Sequence, residues 1–305
     1  MAKPRIALHL ITTANAYQLH QRDGAQAAAQ RLDVELELQF ADSDPTRQIH
    51  EIYEDIHSDP EKRPEVLIIE AVRDGGIERV VRNAAKAGVG VILLHGDGSS
   101  IETVRQEHPN AVLSWVTADN RAIGSIQGRQ FRALVPKEGL VLYASGPTAS
   151  RTAQQRIEGA QEALKGSNIE MSVVAGGDWT SATGEKAVAD WLKLVVPGGI
   201  VPKVVGCGCD DIAVAAKKAL KAAAQALGRP ALAQIPVTGV DGVPSLGQRL
   251  VTQGEMAATV IMPVAAAPAI ELAVQALREH RPPPAKLVLA PSSFPELSTF
   301  HPIPH

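Results

Sequence analysis

Aromatic side chains are scarce in this 305-residue chain: three Trp, three Tyr and four Phe, or 3% of the residues. Binding of single-stranded nucleic acid draws on rings that stack against successive bases, and this sequence supplies few. Positive charge is not in excess either. Thirty Lys and Arg stand against 33 Asp and Glu, a net charge of −3, whereas neutralising a phosphate backbone needs a basic face. Nucleic acid is therefore not an expected partner. Cysteine is limited to Cys207 and Cys209, which excludes a disulfide-rich scaffold. Long apolar runs are missing too. The longest candidate, residues 256–270, contains Pro263 and Pro268 and is flanked by Glu255 and Glu271. A membrane span needs about 20 apolar residues, so no membrane insertion is expected. A secretion signal is poorly supported: Lys3 and Arg5 precede a short apolar stretch, residues 6–11, that contains His9. The expected location is the periplasm if a leader was removed ahead of Met1, and the cytoplasm if the chain is as written.

What is present is ordinary globular material, 45% hydrophobic and 21% charged, in a length that suggests two domains. A short apolar run, a turn and a longer amphipathic segment recur along the chain. Strands are expected at residues 6–12, 34–40, 66–70, 89–94 and 111–117, with helices at 17–31, 45–58 and 77–87 between them. The pattern restarts with a helix at 120–134. Strands follow at 139–144, 171–176, 204–209, 237–241, 256–261 and 286–290. Helices are expected at 150–164, 182–193, 210 to about 228, and 264–279. Continuous Val/Ile/Leu runs suit strands covered on both faces, and the alternation implies parallel, doubly wound sheets with right-handed crossovers. About eleven strands are too many for one comfortable open sheet, so two α/β lobes are expected. Asp210 reads as the cap of its helix. The proline-rich tail after Pro291 reads as an irregular cap.

Several motifs fail on inspection. Gly206-Cys207-Gly208-Cys209-Asp210-Asp211 begins like a dinucleotide fingerprint after a strand. Asp211 stands where the third glycine belongs, and carboxylates at a helix start would repel a pyrophosphate. Gly177 to Gly184 is followed by Glu185 rather than the Lys of a phosphate-binding loop. Neither G-x-S-x-G nor H-E-x-x-H occurs. Cys207 and Cys209 have no second Cys pair and no His close in sequence, so no zinc site, no other metal and no cofactor is expected.

In open α/β sheets ligands bind beyond the carboxyl ends of the strands. The residues this sequence places there include Thr13, Asn15, Tyr17 and Gln18 after the first strand, then His95 and Asp97. Arg151 and Arg156 follow the strand at 139–144, and Asp178 and Trp179 the one at 171–176. Cys209, Asp210, Asp211, Asp241 and Gly242 complete the set. Carboxylates, amides and a guanidinium can pair with ring hydroxyls, while apolar sugar faces lie on Tyr or Trp. No nucleophile–base pair is evident, so no catalytic residue is assigned.

The chain resembles the sugar-binding proteins of the ribose-binding type, type 1 periplasmic binding proteins that share their fold with the ligand domain of LacI-type repressors. The likeness rests on Asp23-Gly24-Ala25-Gln26, on Val116-Thr117-Ala118-Asp119-Asn120 with Gly124 and Gly128, and on Arg156-Ile157-Glu158-Gly159. It rests further on Cys209-Asp210-Asp211-Ile212-Ala213 and on Val240-Asp241-Gly242-Val243-Pro244 followed by Gly254-Glu255-Met256-Ala257-Ala258-Thr259. The resemblance implies two lobes, residues 1–118 with 263–290 and residues 119–262 with 291–305, joined by three crossovers and holding ligand in a cleft between them. It implies a non-enzymatic protein that closes around a small molecule of carbohydrate type, for uptake through a membrane permease or for sensing through a kinase. Two alternatives remain open: a cytoplasmic ligand-sensing domain without the DNA-binding headpiece, and an enzyme acting on a sugar or nucleoside.

By the same resemblance Arg156 matches the family's ligand arginine, Asp241 its cleft aspartate, Asn15 and Tyr17 its amide and stacking ring, and Trp179 its second ring. Gln18 stands where a second aromatic is usual. His95 and Gly96 replace an Asp–Arg pair, Cys209 an Asn, and Met262 a Gln, so a simple pentose is not assumed. Arg156 could instead pair with Glu158, Glu162 or Asp178, and Asp241 could be a plain turn residue. As ligand groups, Arg156 and Asp241 are expected to serve the cleft and to matter little for folding.

Overall fold

The runs at Val66–Glu70 and Gly90–Leu94 are buried at every position, as strands covered on both faces must be. They form the centre of one of two sheets in the computed structural model, which describes residues 3–73, 75–135 and 137–300. The chain divides into two units. The first holds the chain up to Ala118 and takes back Val264–Leu289; the second holds Asp119–Pro263 and the chain from Ala290 on. Pro263 and Ala290 thus group with the second unit, not with the first as the sequence suggests.

The first unit runs β1 (Arg5–Leu10), α1 (Ala16–Leu32), β2 (Glu35–Phe40), α2 (Pro45–His57), β3 (Val66–Glu70), α3 (Ile77–Lys86), β4 (Gly90–Leu94), α4 (Ser99–Glu107) and β5 (Leu113–Ala118). The second runs α5 (Asn120–Leu134), β6 (Glu138–Ser145), α6 (Arg151–Leu164), β7 (Asn168–Ala175), α7 (Ser181–Val195), β8 (Val204–Cys207), α8 (Asp210–Ala226), β9 (Val237–Asp241), α9 (Arg249–Thr252) and β10 (Ala258–Ile261). The chain then returns for α10 (Ala266–Glu279) and β11 (Lys286–Leu289), and goes on to β12 (Ser292–Phe294) and a short 3-10 turn at Leu297–Thr299.

Each unit carries a six-stranded sheet, ordered β11-β5-β4-β3-β1-β2 in the first and β12-β10-β9-β8-β6-β7 in the second. All pairings are parallel except β10 with β12. The expected irregular tail is thus in part an antiparallel edge strand. Three residues are too few to show a period, and the pairing partner lies 31 to 35 positions away at Thr259–Ile261. The helix α4 also escapes sequence reading, because among its apolar residues only Ile101 and Val104 are buried and its stripe is short. Helices of the first unit cover both faces of its sheet. One core layer joins Leu8, Ile68 and Ile92 to Ile270 and Val274 of α10; the other joins Ala7, Leu67 and Leu93 to Ile52 and Val80.

Local chemistry sets the helix starts. Asn15 caps α1 by accepting from the Tyr17 and Gln18 amides, and Asp119 caps α5 by accepting from Ala122. Asp210 does not cap α8 as expected: Cys209 occupies the cap position with no side-chain bond. The reason is tertiary. The Asp210 carboxyl turns inward, accepting from the Gly242 amide at 2.9 Å and the Thr259 hydroxyl at 2.7 Å.

Candidate functional site

Both sheets reverse their strand order, between β1 and β3 in the first unit and between β6 and β8 in the second. At such a point neighbouring crossovers leave in opposite directions, and a crevice opens beyond the carboxyl ends. Most of the residues singled out in the sequence lie around these two points.

In the first unit Tyr17, at the start of α1, reaches His95, which follows β4. The Tyr17 hydroxyl lies 2.9 Å from His95 Nε2, with the rings tilted at 5.7 Å between centroids. Gln18 is buried, its Oε1 accepting from the Ile11 amide at 2.9 Å. Asn15 is committed to its cap. His95 has φ 55° and is followed by Gly96 at φ 54°. This left-handed backbone is fixed by the Trp115 indole, which donates to the His95 carbonyl at 2.6 Å. Two further members were not foreseen. Glu70 ends β3 and accepts from the Gln18 and Gln21 side-chain amides; burial pushes its carboxyl up to about 7 against those bonds. Gln21 is fully buried, with its Nε2 3.4 Å from Glu70 Oε2 and 3.2 Å from His95 Nε2. Sequence signals for both exist in retrospect. Glu70 is the one charged residue closing an otherwise apolar run, and Gln21 sits on the face of α1 that buries Tyr17, Ala25 and Ala28.

In the second unit Arg156 is the hub. It is 3% exposed. Its Nε donates to Asn120 Oδ1 at 3.1 Å, Nη1 to the Gly208 carbonyl at 2.7 Å, and Nη2 meets Met262 Sδ at 3.1 Å. The guanidinium carbon lies 5.5 Å from the Trp179 ring centroid, a cation–π distance. None of its suspected surface partners holds it: Glu158 pairs with Arg121, Glu162 with Lys165, and Asp178 with Thr180 and Thr183. Trp179 has φ 68° and lies across Gly146, where a Cβ would fall 2.1 Å from the indole. The Cys209 thiol points to the Trp179 carbonyl at 3.6 Å. Burial, then the nearby Asp241 charge, pushes that thiol well above its ordinary pKa.

Asp241 ends β9 with φ 105°, beyond what an ordinary turn asks of a non-glycine residue. Burial, then the neighbouring Asp210 carboxyl, holds it well above the usual carboxylate range, with Arg156 pulling the other way. Asp210 is itself pushed up to about 7, again chiefly by burial. Of seven non-glycine residues with positive φ among the described residues, three are His95, Trp179 and Asp241. Strained backbone of this kind persists where surrounding structure over-determines it, often at ligand sites. Arg156 also holds structure together, which argues against the expectation that it matters little for folding. It is buried, and it satisfies a carbonyl and an amide that would otherwise be stranded.

Among the described residues no three His, Cys, Asp or Glu side chains are grouped to hold a metal ion, and no helix is long and apolar enough to cross a membrane. Cys207 and Cys209 are both free and buried.

Two doubly wound α/β units, connected by three passages of the chain and carrying polar clusters at their switch points, are the architecture of type 1 periplasmic binding proteins. A solute-binding protein of Actinobacillus succinogenes with bound D-allose superposes with TM-score 0.81 at 22% identity, covering 95% of this chain and 97% of that one. A Bacillus halodurans solute-binding protein with bound myo-inositol gives 0.77 at 18% identity, covering 96% and 94%. The chain belongs to the family described as periplasmic binding protein domain, whose model matches residues 6–281. Its sequence is 25% identical over 260 residues to the ribose import binding protein of Salmonella typhimurium, covering 85% of this chain and 79% of the relative. It is 26% identical over 261 residues to the D-ribose/D-allose-binding protein of Pseudomonas aeruginosa, covering 84% and 76%.

Proposed function

We propose that this chain is a non-enzymatic solute-binding protein that closes its two units around a sugar or sugar-like polyol and delivers it to an ABC-type permease. The observation that carries this reading is the Arg156 cluster. A buried guanidinium is aimed by three contacts, lies beside an indole and pulls electrostatically on the Asp241 carboxyl. A fork of donors, a carboxyl acceptor and an aromatic face match the two edges and the apolar face of a polyhydroxylated ring. Family membership and the ribose and allose named for its relatives support the same class. The ligand set is Asn15, Tyr17, Gln18 and His95 from the first unit with Arg156, Trp179, Cys209, Asp241 and Met262 from the second. Closure follows from a ligand that gains contacts with both units only when they approach.

His95 and Met262, where the family resemblance sets an Asp and a Gln, remove two hydroxyl partners and favour a polyol other than a simple pentose.

The test is a thermal-shift screen against pentoses, hexoses, cyclitols, sugar acids and phosphorylated sugars. A ligand at one hundred times its dissociation constant adds roughly 2.7 kcal/mol, which moves the melting point of a protein this size by a few degrees. A neutral sugar or cyclitol that stabilises, and is recovered chemically unchanged, supports the reading. Stabilisation only by acids or phosphates, or conversion of the ligand, refutes it.

A further inference from the structure

Gln21 is fully buried, and its side-chain amide joins four segments. Oε1 accepts from two consecutive backbone amides, Ala265 at 2.8 Å and Ala266 at 2.9 Å. These lead into α10, whose start has no side-chain cap of its own. Nε2 faces Glu70 Oε2 at 3.4 Å and His95 Nε2 at 3.2 Å. The orientation of the amide follows from this network. With oxygen and nitrogen exchanged, an NH2 group would confront two N–H donors, and two buried backbone amides would lose their acceptor.

We infer that Gln21 is a positioning residue: it holds the His95 imidazole in the tautomer with its proton on Nδ1, and ties that ring to the segment where the chain re-enters the first unit. The amide NH2 is donor-only. A hydrogen on His95 Nε2 would point donor against donor at 3.2 Å. With Nε2 bare, its single in-plane lone pair accepts from the Gln21 amide and is shared with the Tyr17 hydroxyl at 2.9 Å. Tyr17 alone does not decide the matter, because a hydroxyl can accept as readily as donate. The Gln21 amide is what fixes it. Glu70 completes the arrangement by taking the second amide hydrogen, so the NH2 group is fully used.

The consequence for recognition rests on the ligand site proposed above: the ring at the end of β4 presents one fixed donor–acceptor pattern in place of two interchangeable ones. The tautomer itself does not depend on that reading, so the two can fail separately.

The experiment is long-range proton–nitrogen NMR at neutral pH on protein labelled with 15N-histidine, with the His95 signals assigned by their loss in His95→Gln. The expected wild-type signature is a protonated, pyrrole-type Nδ1 and a bare, pyridine-type Nε2. Tyr17→Phe should keep that signature, because Gln21 remains. Gln21→Met should shift it toward a protonated Nε2. A wild-type Nε2 that carries a proton, in the neutral or the doubly protonated ring, overturns the inference. So does loss of the signature in Tyr17→Phe, or its full retention in Gln21→Met. Should Gln21→Met fail to fold, the wild-type and Tyr17→Phe spectra still decide between these outcomes. A chain that shows the expected tautomer but binds no sugar would leave the positioning role standing and refute the proposed function.

Discussion

Gly124 of α5 lies directly against the backbone of Arg156 in α6: a Cβ at position 124 would stand 2.0 Å from the Arg156 carbonyl oxygen. Gly159 answers from the other helix, where a Cβ would stand 2.1 Å from the Arg121 carbonyl oxygen. The two helices interlock through missing side chains, and the seam holds the guanidinium in place.

Alanine at either glycine should therefore spread the seam. Gly124→Ala and Gly159→Ala are each expected to lose about 1–3 kcal/mol, the cost of overpacking, and to weaken ligand binding by displacing Arg156. Gly198→Ala, with nothing within 4 Å of its Cβ and no positive φ, should leave the melting point nearly unchanged. Equal effects at all three positions would refute the close-packing account.

Arg156→Lys should behave as a loss rather than a conservative change. An ammonium on a flexible stem cannot serve Asn120, Gly208 and the Trp179 face together. Stability measured by urea unfolding is expected to drop by about 2–4 kcal/mol, as buried partners lose a charged donor. Sugar affinity should fall with it. A variant with wild-type affinity would remove Arg156 from the ligand set.

Glu70 and Asp210 give an unusual pH dependence. Both carboxyls are raised to about 7 by burial, whereas an unfolded chain titrates near 4. Between those values the folded form keeps protons that the unfolded form has lost. Their contribution to stability is thus full below about pH 4, declines as pH rises, and is gone above about 7. Urea midpoints at pH 5 and pH 7.5 should show the wild type losing more stability on the way up than Glu70→Gln or Asp210→Asn. Parallel curves would show that neither carboxyl is held protonated.

Cys207 and Cys209 should stay silent toward thiol reagents in the folded protein. Both are buried, and burial raises both thiols, disfavouring the reactive thiolate. A thiol-specific dye should titrate no groups until denaturant is added, and purified protein should hold no stoichiometric zinc. Rapid labelling of one thiol in the folded state would place Cys209 at an open surface.

Most of the elements are visible in the sequence because they announce themselves locally. Residues 66–70, 120–134 and 237–241 are read to the residue, since buried runs, helical stripes and caps each involve neighbours in the chain. The site is half visible. Polar residues directly after strand ends, such as Asn15, His95 and Cys209, stand out against the strands they follow. Glu70 does not, because it is still within its strand. Gln21 does not, because a glutamine inside a helix usually means solvent. Asp210 stands out, but its place at a helix start points to a cap, while the fold gives it a buried role.

The alternation of strands and helices, the two-fold repetition of that pattern, and the strand-end chemistry are all written in the linear chain. All of these depend on spacings of a few residues. Which polar groups share a site is settled by the folded arrangement. Gln21 meets Ala265 across 244 positions, Arg156 meets Met262 across 106, and Asp210 meets Thr259 across 49. Those pairings follow from the order in which strands join each sheet, set by the burial of whole faces and not by any local signal. Burial then sets the chemistry: the same carboxyl that would be charged on the surface holds its proton in the interior.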